Sequence, residues 1–288
     1  MPTLIALIFL VAMLYASVGH GGASGYLAAM SLVGGYSPAA MSTSALLLNL
    51  VVSGTAWATF WRAGHGSWSL LWPFVLSSVP AALIGGWLPI SAQTYRWLLA
   101  VCLLVAAARL CLPPLRDDER PDAPMLAVAL PVGGIIGLIS GIVGVGGGIF
   151  LSPLMGLLRW ADMKRTAAIS AAFIMVNSLA GLAGRMAAGR LMIGSLALLV
   201  IAALAGGIVG SRLGANHFSG MWLRRLLAAV LVVAAGKLVV RHGPTPYAGL
   251  PMASPAVEGR GGFMGDGGHG SPPVGLSRAA VRRRGWDG

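Results

Sequence analysis

The residues best placed for chemistry in this chain are two glycine clusters. GIVGVGGGIFLSPLM, residues 141–155, carries Gly141, Gly144, Gly146, Gly147 and Gly148, then Pro153. VGHGG, residues 18–22, sets Gly19, Gly21 and Gly22 around His20. Both lie in strongly apolar sequence, where glycine weakens a helix and proline breaks it. A helix broken inside hydrocarbon bares N–H and C=O groups, tolerated only where protein or a wet cavity surrounds them. Gly144, Gly146, Gly147 and Gly148 let the chain turn and bring backbone N–H groups against a ligand. A short helix starting at Gly148 or Ile149 would point its positive end at the same place. Helix N-termini and backbone nests hold anions, so the chemistry expected is anion binding. The competing reading is close helix packing, since GGIIGLISGIVG, residues 133–144, has several small-xxx-small spacings. A phosphate-binding loop fits poorly, because no strand precedes the cluster and no lysine follows it.

Other polar residues fall inside apolar runs. Ser42, Thr43, Ser44 and Asn49 share one run, and Ser170, Asn177 and Ser178 share another. Buried asparagine needs a partner, either a neighbouring helix or a substrate. Ser170 and Asn177 are seven positions apart and share nearly one helical face. His20 is the one titratable group in either glycine segment; it can donate to an anion, carry a proton, or bond a freed carbonyl. The eight acidic residues are Asp117, Asp118, Glu119, Asp122, Asp162, Glu258, Asp266 and Asp287. None falls in the core of an apolar run, which argues against a cation pathway and for an anionic or neutral solute. No His/Cys group has metal-ligand spacing, and no acid lies where it could complete a Ser-His-Asp set. Neither a metal, a cofactor nor an enzymatic activity is expected.

The elements that must position these residues are membrane helices. Hydrophobic residues make up 57% of the 288 and charged residues 10%, against about 25% charged in soluble domains. Lipid must solvate most of such a chain. The net charge of +12 does not indicate nucleic acid, because its cations sit at the ends of apolar runs, where headgroups are read and topology is set. Cys102 and Cys111 share one apolar run and form no disulfide framework. MPTLIALIFLVAML lacks the basic start of a cleavable signal, so the first run is expected to remain as a membrane segment.

Runs 39–61, 68–90, 165–187 and 191–213 are the clearest spans, followed by 94–112, 125–143 and 221–240, with 3–18 marginal. Pieces 24–36 and 147–160 follow the glycine clusters and are too short to span. A shift of 125 positions lays VGHGG on VGVGG, Gly64 on Gly189 and Gly85 on Gly210. The expected fold is an all-α integral membrane protein of two homologous repeats, about four transmembrane segments each, with glycine-broken first segments. The first repeat covers 1–112, a charged loop 113–124, the second repeat 125–242, and a disordered Gly/Pro-rich tail 243–288. Broken segments that turn back as re-entrant hairpins give inverted repeats; segments that cross give parallel ones. Charge counting favours inverted repeats, with Arg96, Arg185, Arg190 and Arg241 on the less basic side.

GIVGVGGGIFLSPLM followed by AISAAFIMVNSLAGLAG, residues 168–184, resembles the sulfite exporter TauE/SafE family. YASVGHGGASGYLAAM with STSALLLNLVVSG, residues 42–54, looks like its weaker partner repeat. The resemblance covers about residues 5–240. Gly144, Gly146, Gly147, Gly148 and Pro153 match the glycine-rich motif, whereas Ala23 and Ala28 replace a glycine and a proline in the first half. The family implies transport of small sulfur-containing or organic anions, usually outward. The expectation is then a multi-pass transporter of the bacterial inner membrane. Gly19, Gly21, Gly22, Gly144, Gly146, Gly147 and Gly148 would hold the anion, and Ser44, Asn49, Ser170 and Asn177 would orient it. Lys164 and Arg165 would guide it, and His20 would carry a coupled proton. The expected partners are a small anion and the lipid bilayer. A passive channel and a non-transporting scaffold are the alternatives.

Overall fold

A computed structural model describes residues 2–111, 124–158, 160–192, 196–216 and 221–240. The tail expected to be disordered, and all but the last residue of the charged loop, lie outside the described residues. The described residues form ten α-helices: α1 (Pro2–Ala16), α2 (Ala23–Val33), α3 (Pro38–Phe60), α4 (Trp68–Trp87), α5 (Ala92–Cys111), α6 (Leu126–Val143), α7 (Gly148–Leu157), α8 (Met163–Ala187), α9 (Ala197–Asn216) and α10 (Met221–Val240). Local chemistry sets several ends. Ser37 accepts from the Ala40 N–H at 3.2 Å with Pro38 in the first turn of α3, and Asp162 accepts from the Arg165 N–H at 2.8 Å to start α8. Pro89 lies just beyond α4, which stops two residues earlier at Trp87. The fourth of the clearest expected runs differs most: α9 begins at Ala197 rather than near 191.

Four helical stretches are long and apolar enough to cross a membrane: α3 with its following turn (Pro38–His65), α4, α6 and α8. α1, α2, α5 and α9 contain shorter apolar helices. Some bulky apolar side chains face outward. Leu76 on α4, Ile135 on α6, Leu198 and Ile201 on α9, and Val233 on α10 are exposed, whereas Ser42, Asn49, Ser53, Ser170, Asn177 and Ser178 are 0% exposed. Large apolar side chains exposed together, with small polar ones buried at the centre, suit lipid rather than water.

α3 and α8 pack on each other at the centre and are the most buried of the four long apolar stretches. α4 lies against α6 and α8, while α9 lies against α1 and α3. Thus helices from before the charged loop pack chiefly on helices from after it. Small residues allow the closest of these approaches. A Cβ built on Gly133, Gly137 or Gly141 of α6 would stand 2.6, 2.2 or 2.0 Å from the carbonyl oxygens of Phe74, Ser78 or Ala82 on α4. Gly206 and Gly210 make the same approach to Phe9 and Met13 of α1, at 2.3 and 2.0 Å.

Candidate binding site at the two glycine breaks

Each break ends in a short helix started by a glycine. Gly22 (φ +88°) caps α2 and Gly147 (φ +80°) caps α7, both in the left-handed region that only glycine enters cheaply. Neither helix receives a side-chain cap at this end, so the first turn of each directs backbone N–H groups and positive partial charge inward. The two caps are 125 positions apart.

Both breaks converge on the α3–α8 pair. A Cβ on Gly21 would lie 2.4 Å from Asn49 Oδ1 and 3.0 Å from Ile174 Cγ2. One on Gly146 would lie 2.5 Å from Asn49 Nδ2, 2.8 Å from Ile174 Cγ2 and 3.3 Å from Ser178 Oγ. The two loops thus reach the same two side chains, Asn49 and Ile174. The other glycines line the same seam: Gly144 abuts the Ser42 backbone, Gly148 the Ile174 side chain, and Gly19 the Ala167 backbone. Gly147 faces Ile136 and Phe173, and Gly22 faces the Tyr26 ring of its own helix.

Polar side chains serve the bared backbone. Asn49 Nδ2 donates to the Val145 carbonyl at 3.1 Å, inside the second break. Tyr95 Oη donates to Val143 O at 3.2 Å. Arg185 Nη2 donates to Gly141 O at 2.9 Å and Ile142 O at 2.8 Å. The carbonyls at the C-terminus of α6 and in the break beyond it are therefore held by three side chains from three other helices. Arg185 is 5% exposed, so it is a buried helix-end partner rather than a headgroup anchor. Arg190 does likewise at the end of α4, donating to Gly86 O and Trp87 O, and Lys237 donates to Leu32 O at 2.6 Å near the end of α2.

Some buried polar atoms find no partner within the protein: Ser42 Oγ, Thr43 Oγ1, Asn49 Oδ1, Asn177 Oδ1 and Ser178 Oγ. Such atoms are costly in a dry interior unless water or a polar solute meets them. Asn177 Nδ2 is occupied by its own helix, donating to Phe173 O at 2.9 Å. Ser44 is buried on α3, and Pro153 is half-buried within α7. Lys164 and Arg165 lie exposed at the start of α8, with Arg165 Nε 3.3 Å from Asp162 Oδ2. Asp162 is the one acidic residue among those described. No group of three or more His, Cys, Asp and Glu that could hold a metal occurs among the described residues.

His20 joins the two halves of the site. Its Nδ1 is 2.9 Å from Val18 O, and its Nε2 is 3.0 Å from Ser152 Oγ on α7. Ser152 Oγ is in turn 2.7 Å from Ser170 Oγ on α8. Ser152, Tyr95 and Arg185 had no place among the expected site residues.

Residues 4–238 match the model of a family described as "Sulfite exporter TauE/SafE". The chain belongs to this family. Its curated relatives include "Probable membrane transporter protein y4hK" of Sinorhizobium fredii (strain NBRC 101917 / NGR234), 38% identical over 235 residues, which covers 80% of this chain and 95% of the relative. No solved structure matches the chain. Membership spans α1 to α10, so both glycine breaks and the α3–α8 centre lie inside the family's extent. The TauE/SafE chain is a multi-pass membrane transporter.

Proposed function

We propose that this transporter exports a small anion, sulfite or an organosulfonate, across the bacterial inner membrane by alternating access. The observation that carries the reading is the convergence of both glycine breaks on Asn49 and Ile174. There, two uncapped helix N-termini meet buried Asn49 and Ser178 atoms that lack protein partners. N–H groups and hydroxyls donate to oxyanions, and no carboxylate occurs within a helix among the described residues to repel one. Backbone N–H groups at 19–22 and 144–148 hold the anion, Ser44, Asn49, Ser170 and Asn177 orient it, and Lys164 and Arg165 draw it in. His20 couples a proton.

The chain is read as two repeats, 1–112 and 125–242, forming eight or so membrane segments. In support, the order of long helix, glycine break, short helix and three further helices occurs twice. The packing of α4 on α6 and α8 is matched by that of α9 on α1 and α3. Exchange of one half against the other around a fixed midplane site would then give alternating access.

The test is uptake of radiolabelled sulfite into inverted membrane vesicles, with and without a proton gradient. Saturable uptake that responds to the gradient is expected. Movement of sulfonates but not sulfite would keep the site and change the substrate. Failure of every small oxyanion to move in correctly folded protein would overturn the anion reading.

A further inference from the structure

Proton counting over the contacts around Ser152 bears on the charge of His20. Ser152 Oγ has three partners: Gly148 O at 2.9 Å, Ser170 Oγ at 2.7 Å and His20 Nε2 at 3.0 Å. A hydroxyl has one proton and two lone pairs. A carbonyl only accepts, so the Ser152 proton goes to Gly148 O. The other two partners must then donate, Ser170 through its O–H and His20 through Nε2–H. On the far side of the ring, Nδ1 faces the Val18 carbonyl at 2.9 Å and must also donate. A histidine that donates from both nitrogens is an imidazolium. The neutral tautomer with Nδ1–H leaves Ser152 one proton short, and the one with Nε2–H sets a lone pair against Val18 O.

We infer that Ser152 is a positioning residue that holds His20 as an imidazolium between the two glycine breaks, so that the site takes up a proton together with its anion. The inference rests on the transporter reading above and adds the species that binds. The charged ring links the 18–22 loop to α7, and Ser170 extends the link to α8. Loss of the Nε2 proton to water removes the donor on Ser152 and with it this bridge between the loop and α7. Linkage is reciprocal: an anion favours the charged ring, and the charged ring favours the anion.

Among the described residues, the helices around this loop carry no carboxylate. α3, α6 and α7 carry no ionisable side chain, and α1 and α2 carry only Tyr15 and Tyr26. The Tyr15 ring lies edge-on to His20 at 6.4 Å, its hydroxyl bonded to Ser24. α8 carries Lys164 and Arg165 in its first turn, with Asp162 before them on Arg165, and Arg185 near its far end on α6. On α5, Tyr95 bonds Val143 O.

The experiment is ¹⁵N NMR of ring-labelled histidine in the full chain in lipid nanodiscs, the His20 signal being assigned by its loss in His20→Gln. Ring shifts report charge and tautomer directly, whatever the substrate. At mildly acidic pH wild type should show His20 protonated at both nitrogens. Ser152→Ala should lower the ratio of charged to neutral His20 about tenfold at fixed pH, the size of one charge-assisted hydrogen bond. Ser152→Thr, which keeps the hydroxyl, should restore it. Adding methanesulfonate, anionic at every pH used, should raise the charged fraction in wild type. A neutral ring in wild type, or an unchanged ratio in folded Ser152→Ala, overturns the inference. If the ring behaves as stated but neither methanesulfonate nor sulfite alters it or is transported, the imidazolium stands, while joint uptake with an anion and the anion reading fall.

Discussion

Gly146→Ala tests whether the break is a binding site or a packing device. Gly146 has φ +79°, and its Cβ would stand 2.5 Å from Asn49 Nδ2 and 2.8 Å from Ile174 Cγ2. An L-residue in the left-handed region costs about 1–2 kcal/mol. Asn49 must also withdraw and give up its bond to Val145 O, worth about 1 kcal/mol. Together the loss is about 2–3 kcal/mol, concentrated on the side chain that both breaks share. At 1.4 kcal/mol per tenfold, substrate turnover should fall about 30- to 140-fold while the protein still folds. The assay is initial uptake of labelled sulfite into vesicles, normalised to folded protein. Gly134→Ala is the control: it lies in α6 with only Ser77 Cβ, at 3.9 Å, near its new methyl, and should transport like wild type. Shortening Asn49 to Ala makes room for the Gly146 methyl. The double substitution should therefore be less impaired than the two single effects summed, by about 1 kcal/mol. Wild-type transport in Gly146→Ala, or strict additivity with Asn49→Ala, would refute the reasoning and leave the glycines as packing residues.

Further outcomes are expected elsewhere. Arg185→Leu strips two carbonyls of their donor and should destabilise the detergent-solubilised protein by about 2 kcal/mol, read as a lower thermal midpoint, while Arg185→Gln recovers part of it. Gly137→Ala places a methyl 2.2 Å from Ser78 O and should cost about 1–3 kcal/mol by overpacking; a thermal midpoint equal to that of Gly134→Ala would contradict it. Asp162→Ala removes the cap of α8 and should lower stability by about 1 kcal/mol, with sulfite uptake per folded molecule unchanged.

The division of labour among the glycines was half legible in the sequence. Spacing of four in 133, 137 and 141 belongs to one helical face, and those residues meet α4. The dense run at 144–148 cannot be one face, and it forms the break, with α7 starting at Gly148 as the cluster implied. Helix positions were legible because runs of apolar residues need no tertiary information. Arg185 was not, because a cation near a helix end reads as a headgroup contact until the neighbouring helix end is placed beside it. Ser152 was hidden for the same reason. Its partners His20 and Ser170 are 132 and 18 positions away, and no periodicity links a loop to two helices. Tyr95 is 48 positions from the carbonyl it holds.

The crossed packing of α4 on α6 and α8, and of α9 on α1 and α3, has a consequence for biogenesis. A ribosome that has delivered α1 to α5 has not yet made the helices on which α1, α3 and α4 chiefly pack. The serine-bearing faces of α3 and α4, and the face of α1 that Gly206 and Gly210 approach, must wait in the bilayer for α6, α8 and α9. During that interval Asn49 lacks the Val145 carbonyl that it later holds. The first half is therefore expected to depend on insertase or quality-control machinery rather than to stand as an autonomous unit. Cutting the gene within 112–123 should yield two fragments that are degraded when made singly and persist when made together.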